Sequence, residues 1–394
     1  MAAARRAVEQ LLHAAGIQIN GAGAWDIQVH DERFFTRLLA DGTLGFGESY
    51  MDGWWDCAAL DEMCCRAIAA RLEQRFTRSL RNLLALALAL VVNRQTQRRS
   101  RRVGEAHYDL GNDFFEAMLD PWMQYSCALY LPGDDLAAAQ RHKLEMTCQR
   151  LQLRPGMRLL DIGCGWGGLA KYAAEHYGCS VVGVTISAEQ QGFAEKWCDG
   201  LDVQIQLCDY RRVRGAFDRV VSIGMVEHVG FKNYRTYMRV AANSLGKEGR
   251  FLCHGICNSV TNLQLDPWIR RYIFPNSVLP SLSRLTKAAE GLFVVEDVLN
   301  LGPHYDPTLM AWEENFRDAW PHFAARYDER FRRMWRFYLL SCAGAFRARS
   351  MQVYSILFRK EESAPVGRLA RARPARATVL EHSVTSRSRL AERR

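Results

Sequence analysis

The feature that most constrains this chain is an alternation of short apolar runs with stretches of helical spacing. "MRLLDI", "CSVVGVT", "DVQIQLC", "FDRVVSI" and "GRFLCHGI" are each strand-length and rich in β-branched residues, and helical segments separate them. Strands that take turns with helices build βαβ units, in which the strands lie parallel and helices cover both faces. "FVVEDVL" and "QVYSILF" complete seven runs. The expected fold is therefore α/β, a seven-stranded and mostly parallel sheet, with a smaller and mainly helical N-terminal domain. The segment between the fifth and sixth runs, beginning "CNSVTNLQLDPWIRRYIFPN", is too long for a plain connection. Insertions of that length commonly cover a site.

Three parts follow along the 394 residues: a helical domain over 1–105 that ends in a basic linker, a catalytic-type α/β domain over 106–360, and a tail over 361–394. The start, "MAAARRAVEQLLHAAG", reads as an amphipathic helix with no signal-peptide organisation. A turn-rich stretch, "DGTLGFGESYMDGWWD", comes next. Then helical spacing runs on from Leu60, with Leu72, Phe76 and Leu80 on one side and Arg71, Arg75 and Arg78 on another. "LLALALALVV" is about half the length that a bilayer span needs, so a soluble, cytoplasmic protein is expected. The tail carries little apolar periodicity, and its composition predicts disorder.

Charge is uneven. "NRQTQRRSRR" contributes +5 and the segment from Glu361 to Arg394 contributes +4, which together account for the net +9. Basic segments on a neutral globule suit either an anionic membrane surface or nucleic acid, and equally a merely solvated face. The twelve cysteines show no ligand-type spacing, so neither a disulfide scaffold nor a zinc site is indicated. Cys57, Cys64, Cys65, Cys148 and Cys198 read as packing residues.

"LLDIGCGWGG" follows the first run and opens a helix. Gly163, Gly165 and Gly167 alternate there, letting the backbone turn sharply and approach a ligand closely. The spacing that starts at Asp161 departs from the dinucleotide fingerprint, and Cys164 with Trp166 leaves little room for a pyrophosphate. The motif resembles the first motif of seven-stranded, Rossmann-like S-adenosylmethionine-dependent methyltransferases. The resemblance makes Asp209, in "LCDYRRV", the carboxylate on the adenine side. The residue that closes the second strand is normally an acid that binds the ribose. Here it is Thr185, which leaves ribose contact to Thr185 and Gln190.

Longer blocks narrow the resemblance. "HYDLGNDFFEAMLDPWMQYSCALY", "FDRVVSIGMVEHVG", "DPWIRRYIFPN", "YDPTLMAW" and "CAGAFRAR" are similar to bacterial cyclopropane-fatty-acyl-phospholipid synthases. The family implies methyl transfer from S-adenosylmethionine to the cis double bond of an unsaturated phospholipid acyl chain, with bound bicarbonate taking up the proton before the ring closes. Carried over by motif, the bicarbonate shell is Cys127, Glu227, His254, the Ile256 backbone and Tyr305. Cys342 lies nearby, and Tyr125 and Ser126 stand beside the cofactor. Tyr305, between Pro303 and Pro307, is expected in a loop. Glu227 and His254 are expected at the carboxyl ends of their strands, and His228 is expected to start the next helix or pack outside. The family also implies a homodimer associated peripherally with the inner leaflet, on an anionic phospholipid surface, with no nucleic-acid partner.

The chemistry of the residues agrees with this reading. An alkene is a weak nucleophile, so catalysis must stabilise a developing cation beside an apolar chain. The aromatic faces of Tyr125, Tyr305 and Trp312 can do so without trapping it. A related methyltransferase that stops before ring closure, or a lipid-surface binder that keeps only the fold, remain alternatives at this point.

Overall fold

A computed structural model describes residues 2–72, 110–261, 265–275 and 277–361. The Phe76, Leu80, Arg75 and Arg78 stripes, "LLALALALVV", the basic linker and the tail beyond Glu361 lie outside the described residues.

The N-terminal part consists of α1 (Ala2–His13), α2 (Arg33–Asp41), α3 (Thr43–Met51) and α4 (Leu60–Ala69), with a ribbon of β1 (Gln28–Val29) and β2 (Trp55–Asp56). After α5 (Asn112–Met118) and α6 (Leu136–Leu151) come β3 (Arg158–Ile162), α7 (Gly168–Tyr177), β4 (Ser180–Thr185), α8 (Ala188–Trp197) and β5 (Val203–Leu207). Next are β6 (Phe217–Ile223), the one-turn α9 (Val226–Val229), α10 (Tyr234–Ser244) and β7 (Leu245–Asn258). The chain continues through α11 (Pro267–Tyr272), α12 (Leu282–Ala289), β8 (Phe293–Asn300), α13 (Gly302–Phe323), α14 (Glu329–Arg347) and β9 (Met351–Lys360).

The seven strands β3 to β9 form one sheet in the order β5-β4-β3-β6-β7-β9-β8. The pairs from β5 through β7 are parallel, and β9 runs antiparallel between β7 and β8. This is the mostly parallel sheet that the apolar runs predict. Leu159, Leu160 and Ile162 on β3 are fully buried, as a strand covered on both faces requires. The chain leaves β3 outward to β4 and β5, then returns to add β6 on the other side of β3. A crevice therefore opens at the carboxyl ends of β3 and β6, the place where such sheets hold ligands.

Local signals set several helix starts. Asp135, Ser187, Asp266 and Asp328 each accept a backbone N–H of the turn they cap. Pro267 stands in the first turn of α11, where a missing N–H costs nothing.

Two sequence expectations are overturned. The stretch "DGTLGFGESYMDGWWD" is not turn-rich: most of it is α3. Its glycines serve close packing, because a Cβ at Gly47 would lie 2.4 Å from the Trp268 ring, and one at Gly45 would lie 2.5 Å from the Arg37 carbonyl. The helix that starts at Leu60 does not run on past Ala69 either. Arg71 adopts a left-handed φ of 53°, so Leu72 lies beyond the helix end.

The insertion after β7 is fastened to the N-terminal part. The Trp268 ring stacks edge-on against Phe337 of α14 at 4.6 Å, and its indole N–H donates to Met51 Sδ at 3.3 Å. Tyr272 donates its hydroxyl to Glu48 at 2.7 Å, and Arg271 pairs with the same carboxylate at 3.2 Å. One apolar cluster extends from Val8 on α1 through Trp55, Trp268 and Trp312 to Phe346 on α14. Among the described residues, no helix is long and apolar enough to cross a membrane.

Gly47→Ala should cost about 1–3 kcal/mol in urea unfolding through overpacking. Trp268→Leu in the same chain should recover part of that loss, because it makes room for the methyl. Strictly additive losses in the double variant would show that the two positions do not touch.

Candidate active site

The glycine turn forms the floor of a cleft of about 1450 Å³. Gly163 and Gly165 hold φ of +81° and +56°, values that side-chain-bearing residues rarely adopt, and a Cβ on Gly165 would project into open space. Tyr125, Ser126, Asp161, Thr185, Gln190 and Asp209 all line the cleft, as do Cys164 and Trp166. Gly167 does not. A Cβ there would lie 3.0 Å from Ala194 Cβ, so this glycine lets α8 pack against the turn instead.

Asp161 sits buried at the base, and loss of hydration pushes its carboxyl up to about 7 against the opposing pull of Lys143. The Thr185 hydroxyl donates to Gln190 Oε1 at 2.9 Å, while Thr185 Oγ1 accepts the Ser187 N–H at 3.2 Å. The two neutral residues named for ribose contact are thus already coupled to each other. Asp209 faces the cleft with both oxygens engaged by Arg211, at 2.7 and 2.6 Å. Arg211 therefore offsets its charge, which the sequence reading did not include.

A second cavity, about 660 Å³, adjoins the first. Cys127, Glu227, His254, Ile256 and Tyr305 line it, together with the apolar Leu265, Leu279 and Val353. Tyr125, Ser126, Gly224, His228 and Phe274 line both cavities and so form their common wall.

Glu227 lies on α9, just past the end of β6 rather than on the strand. Its Oε1 accepts the Ile256 backbone N–H at 2.6 Å. That amide is therefore engaged by Glu227, while Ile256 itself stays in the lining of the second cavity, where the family motif puts its backbone. Gly255 makes the approach possible, since a Cβ there would stand 3.1 Å from the carboxylate and 2.5 Å from Val226. Burial pushes the Glu227 carboxyl up to about 7. His254 is buried inside β7 and does not end it: β9 keeps pairing with β7 as far as Asn258, although the parallel partner β6 stops opposite His254. Burial drives its imidazole down to about 3, so it is neutral. Among the described residues, Glu227 Oε2 and both His254 ring nitrogens are buried without a hydrogen-bond partner. Such groups carry a desolvation cost that a polar ligand would remove.

Tyr305 is not in a loop. It lies in the first turns of α13, where Pro303 is tolerated because first-turn N–H groups have no helical partner. Its ring meets Trp312 edge-on at 5.8 Å, and Tyr125 stands 5.1 Å from the same indole. The Cys127 thiol is directed to the Leu301 carbonyl at 3.4 Å, and burial holds it above the usual thiol range. Cys342 lines neither cavity. It packs at the edge of the large apolar cluster, with its thiol raised to about 12 by burial.

Besides Arg211, three site residues were misplaced or not named by the sequence reading. His228 lies in the helix that follows β6, one of its two expected places, but it faces the cavities and does not pack outside. Successive residues of a helical turn point about 100° apart, so on α9 Glu227 reaches one cavity while His228 reaches the shared wall. Ser277 of the insertion holds its Nδ1 at 3.0 Å, and burial lowers it to about 4. Phe274 comes from the insertion as well, and only the length of that segment hinted at a cover. Tyr338 on α14 bonds the Tyr125 hydroxyl at 3.0 Å across 213 positions of sequence, a meeting that no local pattern signals.

A glycine turn at the switch point of a seven-stranded sheet, in which the last strand, β9, runs antiparallel between β7 and β8, defines an S-adenosylmethionine-dependent methyltransferase. Solved structures share it: the cyclopropane synthase MmaA2 of Mycobacterium tuberculosis aligns at a TM-score of 0.63 and 32% identity, covering 66% of this chain and 98% of that one. The mycolic acid cyclopropane synthase CmaA1 in complex with SAH and CTAB aligns at 0.61 and 32%, with the same coverage. Coclaurine N-methyltransferase, 22% identical over 81% of this chain and 99% of that one, shares the fold at a TM-score of 0.67. A family model described as mycolic acid cyclopropane synthetase matches residues 95–356. The cyclopropane-fatty-acyl-phospholipid synthase of Escherichia coli K12 is 53% identical over 90% of this chain and 92% of its own. The chain belongs to this family and is a methyltransferase of the cyclopropane-fatty-acyl-phospholipid synthase kind.

A group whose folded pKa of about 7 exceeds its ordinary 4.5 takes up a proton on folding, so its cost is absent in acid and grows as pH rises between those values. Glu227→Gln keeps an acceptor for the Ile256 N–H. It should stabilise the protein at pH 8 by up to on the order of 3 kcal/mol, and by nothing near pH 4. Denaturant unfolding at the two pH values measures this. A gain that does not depend on pH would mean that the carboxyl is not desolvated.

Proposed function

We propose that the enzyme transfers a methylene from S-adenosylmethionine to the cis double bond of an unsaturated phospholipid acyl chain. The observation that carries this reading is the pair of adjoining cavities: a cleft on the glycine turn, and beyond the Tyr125–His228 wall a mainly apolar chamber with a few buried polar groups.

The cofactor supplies an electrophilic methyl group, and bicarbonate bound in the second cavity supplies a weak base. The donor set suits a small hydrogen-bonding anion. His254 offers a neutral ring whose nitrogens have no partner among the described residues, and Glu227 Oε2 is free to accept from an acidic hydroxyl. Tyr305 and Cys127 complete the lining. Tyr125 and Tyr305 line the second cavity and place aromatic faces where positive charge develops on the alkyl chain, and neither is a strong nucleophile. Trp312, expected to do the same, is fully buried against both rings and lines neither cavity. Desolvation keeps the Tyr305 phenol protonated. The cover segment and the apolar walls exclude water that would otherwise capture the cation. In the cofactor cleft, Thr185, Gln190, Asp209 and the turn at Gly163 and Gly165 hold the donor.

The division into an N-terminal lipid-associating part, a catalytic part and a basic tail is part of the same proposal. So are peripheral association with an anionic inner leaflet, a homodimer, and the absence of a nucleic-acid partner. What supports the membrane reading is the charge of the linker and tail together with the lipid substrate.

Labelled-methyl incorporation into unsaturated phospholipid tests the reaction. Ring protons in the product are expected, whereas branched or methylene-bearing chains would mean a methyltransferase that stops before closure. Glu227→Ala should lower turnover by about 10²- to 10⁴-fold while S-adenosylmethionine affinity stays within several-fold. Loss of donor binding instead would misplace the residue. Deleting Glu361–Arg394 should weaken binding to anionic vesicles at low salt, and a salt-independent result would remove the tail from membrane contact.

A further inference from the structure

Lys143, on α6, has no exposed surface, and neither the fold signals nor the family motifs single it out. A buried ammonium is costly unless its surroundings compensate it, so its partners indicate its purpose. It donates to the side-chain oxygen of Gln124 and to Ser126 Oγ, the latter at 3.0 Å. One turn earlier on the same helix, Gln140 donates its side-chain amide to the carbonyls of Ser126 and Gln124 at 2.9 and 3.3 Å.

The segment that these two residues grip is the wall described above. Gln124, Tyr125 and Ser126 face the methyl-donor cleft, and Tyr125, Ser126 and Cys127 face the chamber beyond. The rest of the segment is held as tightly. Asp120 accepts the backbone N–H groups of Trp122 and Gln124 at 2.8 and 2.9 Å, and Gln124 Nε2 donates to the Trp122 carbonyl at 2.9 Å. Gly168, which opens α7 after the glycine turn, abuts it so closely that a Cβ would lie 2.0 Å from the Trp122 carbonyl.

Charge adds a second role. The groups that act on Lys143 are Asp120 before the wall, Cys127 on the wall and Asp161 on β3, while Lys143 in turn disfavours a proton on His254 of β7. Asp161, at the base of the donor cleft, has Lys143 as the cation that opposes the effect of its burial.

We propose that Lys143, assisted by Gln140, is a positioning residue for the methyl-donor site: its ammonium fixes the Gln124–Ser126 wall through its hydrogen bonds to Gln124 and Ser126. Donor binding then depends on the charge of a side chain that touches neither cavity. Burial lowers the Lys143 ammonium to about 8, so the charge is lost as pH rises through that value and donor affinity falls with it.

The test uses the full chain, with S-adenosylhomocysteine binding followed by titration calorimetry from below to above that pH, and steady-state kinetics with lipid vesicles. Lys143→Met should bind about 10- to 100-fold more weakly below the lysine pKa, the loss that follows from removing hydrogen bonds to a charged group. KM for the donor should rise while KM for lipid and the pH profile of kcat change little. Lys143→Arg keeps a charge that does not titrate, so it should restore much of the affinity and abolish the alkaline fall. Lys143→Met that binds the donor like wild type, with only a lower unfolding midpoint, would reduce Lys143 to a strut and overturn the proposal. If Lys143→Met does not fold, an alkaline fall that persists in Lys143→Arg overturns it equally.

Discussion

The pairing of β3 with β6 is the constraint on which everything else depends. Leu159, Leu160 and Asp161 lie in register with Arg219, Val220 and Val221, although the chain has made two strands on the far side of β3 before returning. Because both strands run the same way and their following segments diverge, their ends cannot close over each other. The backbone groups and side chains left there, on the glycine turn and on α9, face a crevice that only a ligand or a later part of the chain can fill. A hairpin between the same two strands would bury that edge and leave no site.

The filling comes from two directions. The insertion after β7 brings Phe274, Ser277 and Leu279 over the crevice, and α13 and α14 bring Tyr305 and Tyr338 from behind. Each is anchored elsewhere. Trp268 seats the insertion on α3, and the ion pairs of Arg347 with Asp61 and Asp306, at 2.7 and 2.9 Å, tie α14 to α4 and α13. The N-terminal helices are in this sense part of the site's support, since they hold the cover in place and, among the described residues, none of them lines either cavity. Around this apolar frame the buried polar groups are few and specific. Glu227, His254 and Lys143 each bear a desolvation cost that packing alone never requires, and such costs concentrate where a ligand is handled.

Much of the site was legible because its residues sit at the ends of regular elements. Asp161, Gly163 and Gly165 follow the first apolar run, Thr185 ends the second, and Glu227 comes just after the fourth. Strand periodicity with glycine punctuation locates such positions. The misreadings share one cause. Gly45 and Gly47 looked like turn residues, Pro303 and Pro307 like loop residues, and Gly167 like a ligand contact. In each case the residue type permits two environments; for Gly47 and Gly167 the neighbour that selects one of them (Trp268, Ala194) belongs to another element, and for the prolines it is the helix α13 into which they fold.

By itself the sequence determined the sheet, the cofactor turn and the identity of the polar groups, because periodicity and backbone allowance act over a few residues. Only the tertiary structure decided which of those groups share a cavity. It brought Tyr338 to Tyr125, turned His228 inward, committed the Ile256 amide to Glu227 and placed Lys143 behind the wall. Those outcomes come from competition for buried space and hydrogen-bond partners among segments from 17 to 213 positions apart, and no local pattern carries that information.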